Sequence, residues 1–399
     1  MGNAILPSVE PIAWRDEQRR PFSFHVLKTG SQPGPRLGRL NTAHGVVETP
    51  AFMPVGTQGT VKTLLPREVR STGAQIILAN TYHLMLRPGL ETLVAAGGLQ
   101  RFMGWDGPIL TDSGGFQIFS LGGNTRVLES GVTFRSHIDG SKHALDPESC
   151  IRLQVTWGSD IVMALDHLVG LPADRETVRV ATERTHRWLG RCVTEFERLH
   201  GDTRSALFGI CQGGMDSSMR RASAEMLAKA NVAGCAIGGL SVGEPKPVMA
   251  EMLEIVVPIL PVNKPRYLMG VGSPEDLWMG VARGIDLFDC VLPTRLARNG
   301  ALFTEEGRVN IKQRRFAALH APIDPKCDCE ACVSFTASYI HHLFRSREIL
   351  GLRLGSVHNL RFLARQIETM RSAIGTGTFA SAHAAFLDHY RPIEVAALS

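Results

Sequence analysis

Eight short apolar runs, each closing on a polar or glycine-rich cluster and each followed by a helical pattern, constrain this chain more than any other feature. They occupy residues 51–55, 75–79, 108–111, 160–165, 206–211, 234–237, 266–269 and 284–288. Runs this short, alternating with longer stretches of helical periodicity, read as buried parallel strands joined by crossover helices. Eight such units with no second glycine fingerprint of the nucleotide-binding type fit an α/β fold, a closed (β/α)8 TIM barrel, better than an open doubly wound sheet. Periodicity alone keeps the open sheet as an alternative. The placement of the unusual residues favours the barrel, because barrel enzymes keep their chemistry at the C-terminal ends of strands. Here those ends carry Asn80, Asp112, Asp166, Gln212, Gly238, Gly239, Gly270 and Asp289.

The flanks break the rhythm. Residues 1–21 read as a flexible N-terminus and residues 22–47 as short antiparallel strands forming a cap. After residue 300 comes a hairpin (301–304 and 308–312), then a cysteine cluster, then closing helices at 360–374 and 381–390. The expected organisation is a barrel with its cap over 22–300 and 361–390, and a metal-binding subdomain over 301–360.

With 44% apolar and 20% charged residues, the 399-residue chain has an ordinary globular composition. No apolar run approaches the length of a membrane span, and the first 20 residues mix Pro, Glu, Asp and Arg, so neither membrane insertion nor a secretory signal is expected. The eight cysteines are accordingly expected as thiols or metal ligands in a reducing cytoplasm, not as a disulfide framework. The net charge of +5 is localised: residues 295–365 hold 12 basic and 6 acidic side chains, leaving −1 for the remainder. A positive field confined to one stretch suits a phosphate backbone, the alternative being a solvated basic surface.

Cys327, Cys329 and Cys332 form a C-x-C-x-x-C knuckle whose spacing lets three thiolates converge on one tetrahedral ion, most simply zinc. His341, His342 and His358 are the downstream candidates for a fourth ligand. Three thiolates and an imidazole would leave no open coordination position, so the ion would be structural. The alternative is three reduced surface thiols.

Two segments carry carboxylates in unusual company. Thr111-Asp112-Ser113-Gly114-Gly115-Phe116-Gln117 sets an acid before paired glycines whose backbone can approach a ligand closely. Asp289-Cys290-Val291-Leu292-Pro293-Thr294-Arg295 sets another at the last strand, just ahead of Arg295 and Arg298. Paired carboxylates at barrel strand ends suit glycosyl transfer, one attacking the anomeric carbon and the other managing the leaving group's proton. Alternatively each acid caps the helix that follows it.

These two segments, together with Gln212-Gly213-Gly214, Ala236-Ile237-Gly238-Gly239-Leu240, Tyr267-Leu268-Met269-Gly270-Val271-Gly272 and the cysteine knuckle, resemble tRNA-guanine transglycosylase, also called queuine tRNA-ribosyltransferase, over residues 22–390. The resemblance implies a cytoplasmic, homodimeric barrel enzyme with one structural Zn2+ ion. It implies exchange of the wobble guanine of GUN-anticodon tRNAs (those for Asp, Asn, His and Tyr) for a 7-deazaguanine in queuosine biosynthesis. By the same resemblance Asp289 matches the nucleophile that forms a covalent ribosyl ester, and Asp112 the general acid and base. Asp166, Gln212, Gly239 and Leu240 match the readers of the base edges, and Phe116 and Met269 the stacking faces. Ser113 and Gly114 are further base contacts, and Arg295 and Arg298 lie where tRNA phosphates are expected. His358, 26 residues after Cys332 and followed by Asn359, matches the fourth zinc ligand.

The resemblance is bacterial in type, with a mixed pocket. Bacterial members follow the base-reading aspartate with Glu and Cys, whereas here Asp166 precedes His167 and Leu168. The missing acid normally works with one matched by Glu244 to admit an aminomethyl ammonium. Leu168 and Ser241 look eukaryotic, while Val242 looks bacterial and stands where glycine would leave room for queuine. Ala297 replaces a common glycine. The incoming base expected first is 7-aminomethyl-7-deazaguanine (preQ1), with queuine the alternative. Rival functions are a non-catalytic RNA-binding subunit of the same fold, against which both acids argue, and a zinc-dependent hydrolase, which would need an open metal within the barrel.

Overall fold

In the computed structural model, residues 22–30, 33–120, 125–170, 172–199, 201 and 204–392 are described. The expected flexible N-terminus, 1–21, lies outside the described residues. Strands β1 (Ser23–Thr29), β2 (Arg36–Thr42) and β3 (Gly45–Thr49) form the antiparallel cap. The barrel begins with β4 (Ala51–Gly56), β5 (Ile77–Ala79) and β6 (Ile109–Thr111). A three-stranded antiparallel sheet of β7 (Thr125–Val127), β8 (Val132–Arg135) and β9 (Lys142–Leu145) interrupts it. The barrel resumes with β10 (Ile161–Met163), β11 (Ala206–Cys211), β12 (Gly234–Ile237), β13 (Arg266–Leu268) and β14 (Leu287–Cys290). The ring closes where β14 pairs in parallel with β4, Leu287 opposite Ala51. The hairpin β15 (Ala301–Thr304) and β16 (Gly307–Asn310) follows.

Alternation along each strand explains both the closure and the site. Met53, Leu78, Leu110, Met163, Phe208 and Leu287 point into the barrel and form one apolar cluster. Their neighbours Phe52, Ile77, Ile109, Val162, Leu207 and Phe288 point outward into a second cluster shared with the helices. One further step of the same period carries Asn80, Asp112, Gln212, Met269 and Asp289 to positions two residues beyond inward-facing Leu78, Leu110, Ile210, Tyr267 and Leu287. The mouth of the barrel is thus lined by the layer just above its packed interior.

The opposite end is closed by charge. Arg36 of the cap grips Asp286 with two bonds, Nε to Oδ1 at 2.9 Å and Nη2 to Oδ2, and the Arg266 N–H joins the same carboxylate at 2.7 Å. Both partners are buried, so removing either would strand a charge in the interior. At this end of a barrel such residues serve stability.

Two segments differ from the sequence expectation. The closing helix runs Ile349–Thr376 and so begins 11 residues before the expected start at 360, crossing the 360/361 boundary. Gly351 and Gly355 lower helix propensity there, yet a Cβ on Gly351 would stand 3.0 Å from the Cβ of Leu343, so close packing with the preceding helix overrides propensity. This helix packs on β4 and on the helices Pro66–Ser71 and Pro274–Ala282. It therefore takes the place of the eighth barrel helix, and the β15–β16 hairpin and the cysteine cluster are an insertion between β14 and that helix. The β7–β9 sheet was not anticipated either, although Val132 and Phe134 alternate with exposed Thr133 and Arg135 in strand fashion.

Candidate active site

Three carboxylates meet at the barrel mouth, and their surroundings differ. Asp112, just past β6, has Oδ1 accepting the Thr81 N–H at 2.9 Å and the Gly114 N–H at 3.1 Å, and Oδ2 accepting from the Asn80 amide. Burial pushes its pKa up to about 7; the Thr81 N–H opposes the shift, and the nearby charges of Asp289 and Asp166 add to it. Near neutrality Asp112 is divided between acid and base.

Asp289 sits inside β14, not beyond its end as the run 284–288 suggested. Its Oδ1 accepts the Tyr267 hydroxyl at 2.6 Å and the Gly270 N–H at 2.8 Å. Oδ2 has no hydrogen-bond donor among the described residues. Burial raises its pKa while those two donors lower it. The capping alternative fails here, since the helix Leu292–Arg298 starts at Val291 without a side-chain cap. Asp112 does bind N–H groups at two helix starts, so capping and chemistry coincide in it.

Asp166 follows β10 and is 5% exposed. Ser113 donates to its Oδ1 at 3.0 Å and the Gln212 amide to its Oδ2 at 2.7 Å. Burial raises its pKa against these two bonds. Gly115 can carry no side chain, because a Cβ would lie 2.9 Å from Asp166 Oδ1. Gly114, at φ +77°, is likewise pressed against the Tyr82 N–H, 2.9 Å from where a Cβ would be. Phe116 is 57% exposed, which leaves its aromatic ring open for stacking, and Met269 is half-buried. Gly239 and Leu240 follow β12, with Gly239 at φ +66°.

The departures of the pocket have structural counterparts. The Arg184 guanidinium donates to His167 Nδ1 at 3.1 Å, and the ring lies 4.9 Å from Phe119 and 6.2 Å from Trp188. Burial, with Arg184 beside it, pulls the His167 pKa down to about 4. The ring is neutral at neutral pH. Glu244 accepts from the Ser241 and Val242 N–H groups, the latter at 2.9 Å, and this holds Ser241 at φ +61°, a left-handed conformation uncommon for serine.

Cys327, Cys329, Cys332 and His358 come together as one buried cluster, their ligand atoms all within 4.8 Å of one another. His358 Nδ1 faces the sulfurs of Cys332 at 3.3 Å and Cys329 at 3.6 Å, and Nε2 donates to the Phe303 carbonyl at 2.6 Å. That second bond fixes the tautomer that leaves Nδ1 free for a metal. Three soft sulfurs and one imidazole in tetrahedral reach fit a closed metal site. His341 instead bonds the Ile311 carbonyl at 2.7 Å, and His342 is exposed. Asn359 stitches the cluster to the barrel side through Phe303, Pro293 and Ala301.

The basic stretch divides in two. Arg353, Arg361, Arg365 and Lys326 pair with carboxylates. Arg295, Arg314, Arg315, Arg345 and Arg347 are exposed and pair with no carboxylate among the described residues. Arg298 is half-buried, with Nη1 unpartnered there, and burial followed by Arg295 lowers its pKa.

A family model described as queuine tRNA-ribosyltransferase matches residues 31–392. The chain belongs to the queuine tRNA-ribosyltransferase family. A relative of that name from Herpetosiphon aurantiacus is 58% identical over 339 residues, 85% of this chain and 86% of its own. Another from Pelotomaculum thermopropionicum is 53% identical over 369 residues, 92% and 99% of the two chains. A third, from Symbiobacterium thermophilum, is 53% identical over 367 residues, 92% and 91%. The family is one of transglycosylase enzymes acting on tRNA, and the barrel is where its chemistry would sit.

Sequence reasoning missed Tyr267 and Arg220. Tyr267 lies two residues before Met269 on an inward-facing strand position, a parity that would have found it. Arg220, on the helix Ser217–Lys229, reads locally as an ordinary surface charge but is fully buried.

Proposed function

We propose that this chain replaces the wobble guanine of GUN-anticodon tRNAs with 7-aminomethyl-7-deazaguanine in queuosine biosynthesis, through a covalent ribosyl ester on Asp289. The observation that carries this reading is the pairing of Asp289, with no donor on one carboxylate oxygen among the described residues, and Asp112, divided between acid and base near neutrality. Asp289 Oδ2 attacks the ribose C1′, the bond to the base breaks, and its electron pair leaves with guanine, which takes a proton from Asp112. The incoming base returns a proton to Asp112 and displaces Asp289. Two inversions retain the configuration. Asp166 offers carboxylate oxygens to the N–H edge of the base, Gln212 and the Gly239 and Leu240 backbone meet the opposite side, and Phe116 and Met269 stack on its faces. Ser113 holds the first of these contacts in place through its bond to Asp166, and the Gly114 N–H steadies Asp112. The wobble nucleotide must leave the anticodon stack to enter.

The pH dependence follows from Asp112. Release of guanine requires its protonated form, which disappears above a pKa of about 7. The first half-reaction should therefore fall roughly tenfold per pH unit on the alkaline side. Single-turnover rates from pH 5 to 9 check this, and a flat profile above pH 7 would exclude Asp112 as the acid.

Zinc in the Cys327, Cys329, Cys332 and His358 cluster would be structural, because the donor set closes the coordination sphere. A homodimer in the cytoplasm completes the proposal. The exposed Leu319, Val333 and Tyr339 near the cluster offer apolar surface for the second copy, and no described helix is long and apolar enough to cross a membrane. Exposed Arg295 and half-buried Arg298, on the helix directly after β14, would hold the phosphates flanking the extruded nucleotide. Replacing both with Ala should weaken all substrate tRNAs alike and reduce the slope of log affinity against log salt by roughly 1.5. A changed anticodon preference with an unaltered slope would assign them to base reading.

The test of the incoming base is an exchange assay offering guanine, 7-aminomethyl-7-deazaguanine and queuine side by side. Glu244 supplies an anion near an aminomethyl ammonium, and neutral His167 does not repel it. Val242 narrows the route a larger substituent would need. The aminomethyl base should be preferred over guanine, and Val242→Gly should raise queuine use. A strong wild-type preference for queuine, in keeping with Leu168, would change the base and leave the exchange reaction intact.

A further inference from the structure

Arg220 is a cation sealed inside the protein, 0% exposed, with no carboxylate bonded to it among the described residues. Its guanidinium is spent on four backbone carbonyls. Nε donates to Gly214 at 2.8 Å, Nη1 to Cys211 at 3.2 Å and to Gly238 at 2.7 Å, and Nη2 to Gly239 at 3.1 Å. Burying a charge without a paired anion is unfavourable unless its donors are satisfied. Here they are satisfied by the two turns that border the base-reading edge, one after β11 and one after β12.

The consequence is geometric. In a trans peptide the carbonyl and the N–H point in opposite directions. With the Gly238 and Gly239 carbonyls drawn to the guanidinium, the Gly239 and Leu240 N–H groups must point away from it. Neither has an acceptor among the described residues, whereas the next two N–H groups, of Ser241 and Val242, are both taken by Glu244. Gly239 lies against Gln212, since a Cβ there would be 2.5 Å from Gln212 Oε1, and Gln212 in turn bonds Asp166. Gly238 and Gly239 have no side chains to resist a peptide flip, so nothing else in the turn itself fixes which way these peptides face.

We propose that Arg220 is a positioning residue that aims the Gly239 and Leu240 N–H groups at the exocyclic oxygen of a 6-oxopurine, and so makes the pocket reject a purine lacking that oxygen. The inference rests on the base-exchange reading above. Without the guanidinium a flipped peptide would present a carbonyl where a donor is required, and an acceptor facing the base oxygen is repulsive.

The test compares wild type, Arg220→Gln and Arg220→Lys in equilibrium binding of guanine and of 2-aminopurine, with melting temperature and tRNA affinity measured on each. The wild type should favour guanine by at least about 100-fold, as a site built around a donor rejects the ligand lacking its acceptor. Arg220→Gln should lose about 10-fold or more in guanine affinity, with 2-aminopurine and tRNA affinities unchanged. Arg220→Lys, which keeps a buried cation but offers fewer donors in a fixed plane, should recover part of the loss. Equal losses for both bases, an unchanged guanine preference in Arg220→Gln, or failure of both variants to fold would each overturn the proposal. If the wild type exchanges base normally while the preference survives in Arg220→Gln, only the role of Arg220 falls. A wild type that binds no guanine would remove the base-exchange reading itself and this inference with it.

Discussion

Incorporation of labelled guanine into tRNA should fall by at least about 10³-fold in Asp289→Asn, while affinity for tRNA is retained. The substitution is nearly isosteric, and the Tyr267 hydroxyl and Gly270 N–H can still donate to the amide oxygen, so the β14 end should keep its shape. What disappears is the anionic oxygen on the side with no donor, the atom that would bond to C1′. The wild type should give a denaturant-resistant adduct with tRNA when the second base is withheld, and Asp289→Asn should give none. Tyr267→Phe separates nucleophilicity from placement: it removes one of two donors on Oδ1 and should lower the rate far less. Substantial exchange by Asp289→Asn would remove the covalent mechanism.

Cys329→Ala should strip the metal from the protein and loosen the region from Cys327 to His358, and His358→Ala should do the same. The cluster is buried and its four ligands come from the insertion and from the helix Ile349–Thr376. That helix also packs on β4, so loss of the metal should reach the closure of the barrel and not stay local. Structural zinc in small sites contributes on the order of 10 kcal/mol, far more than a surface substitution. Elemental analysis should find one zinc per wild-type chain and little in either variant, and hydrogen exchange should show faster opening of residues 301–360. Full occupancy in both variants would mean that the ligand set is different.

The barrel was legible because its signal is repetitive: eight apolar runs with one parity, each ending on a polar residue. Asp112, Asp166, Gln212 and Asp289 were visible for the same reason, each lying at the C-terminal end of a barrel strand or within three residues after it. The cysteine knuckle was legible from spacing alone, but its fourth ligand was not, since only the family resemblance picked His358 out from His341 and His342. The fold separates them by letting Asn359 and the Phe303 carbonyl fix His358 at the cluster. The start of the closing helix was misplaced because helix propensity is low at Gly351 and Gly355, where packing against Leu343 and Leu302 prevails. Arg220 could not be found from sequence. Its role depends on carbonyls that two separate turns bring to one point.

Most direct is a stoichiometry measurement. A tRNA with labelled guanine at the wobble position is incubated with the wild-type protein, with and without unlabelled 7-aminomethyl-7-deazaguanine. One guanine should be released for each base incorporated, at that position only, with negligible release in excess of enzyme when no base is supplied. Guanine release without incorporation, leaving an abasic tRNA, would contradict transglycosylation and make the site a hydrolase.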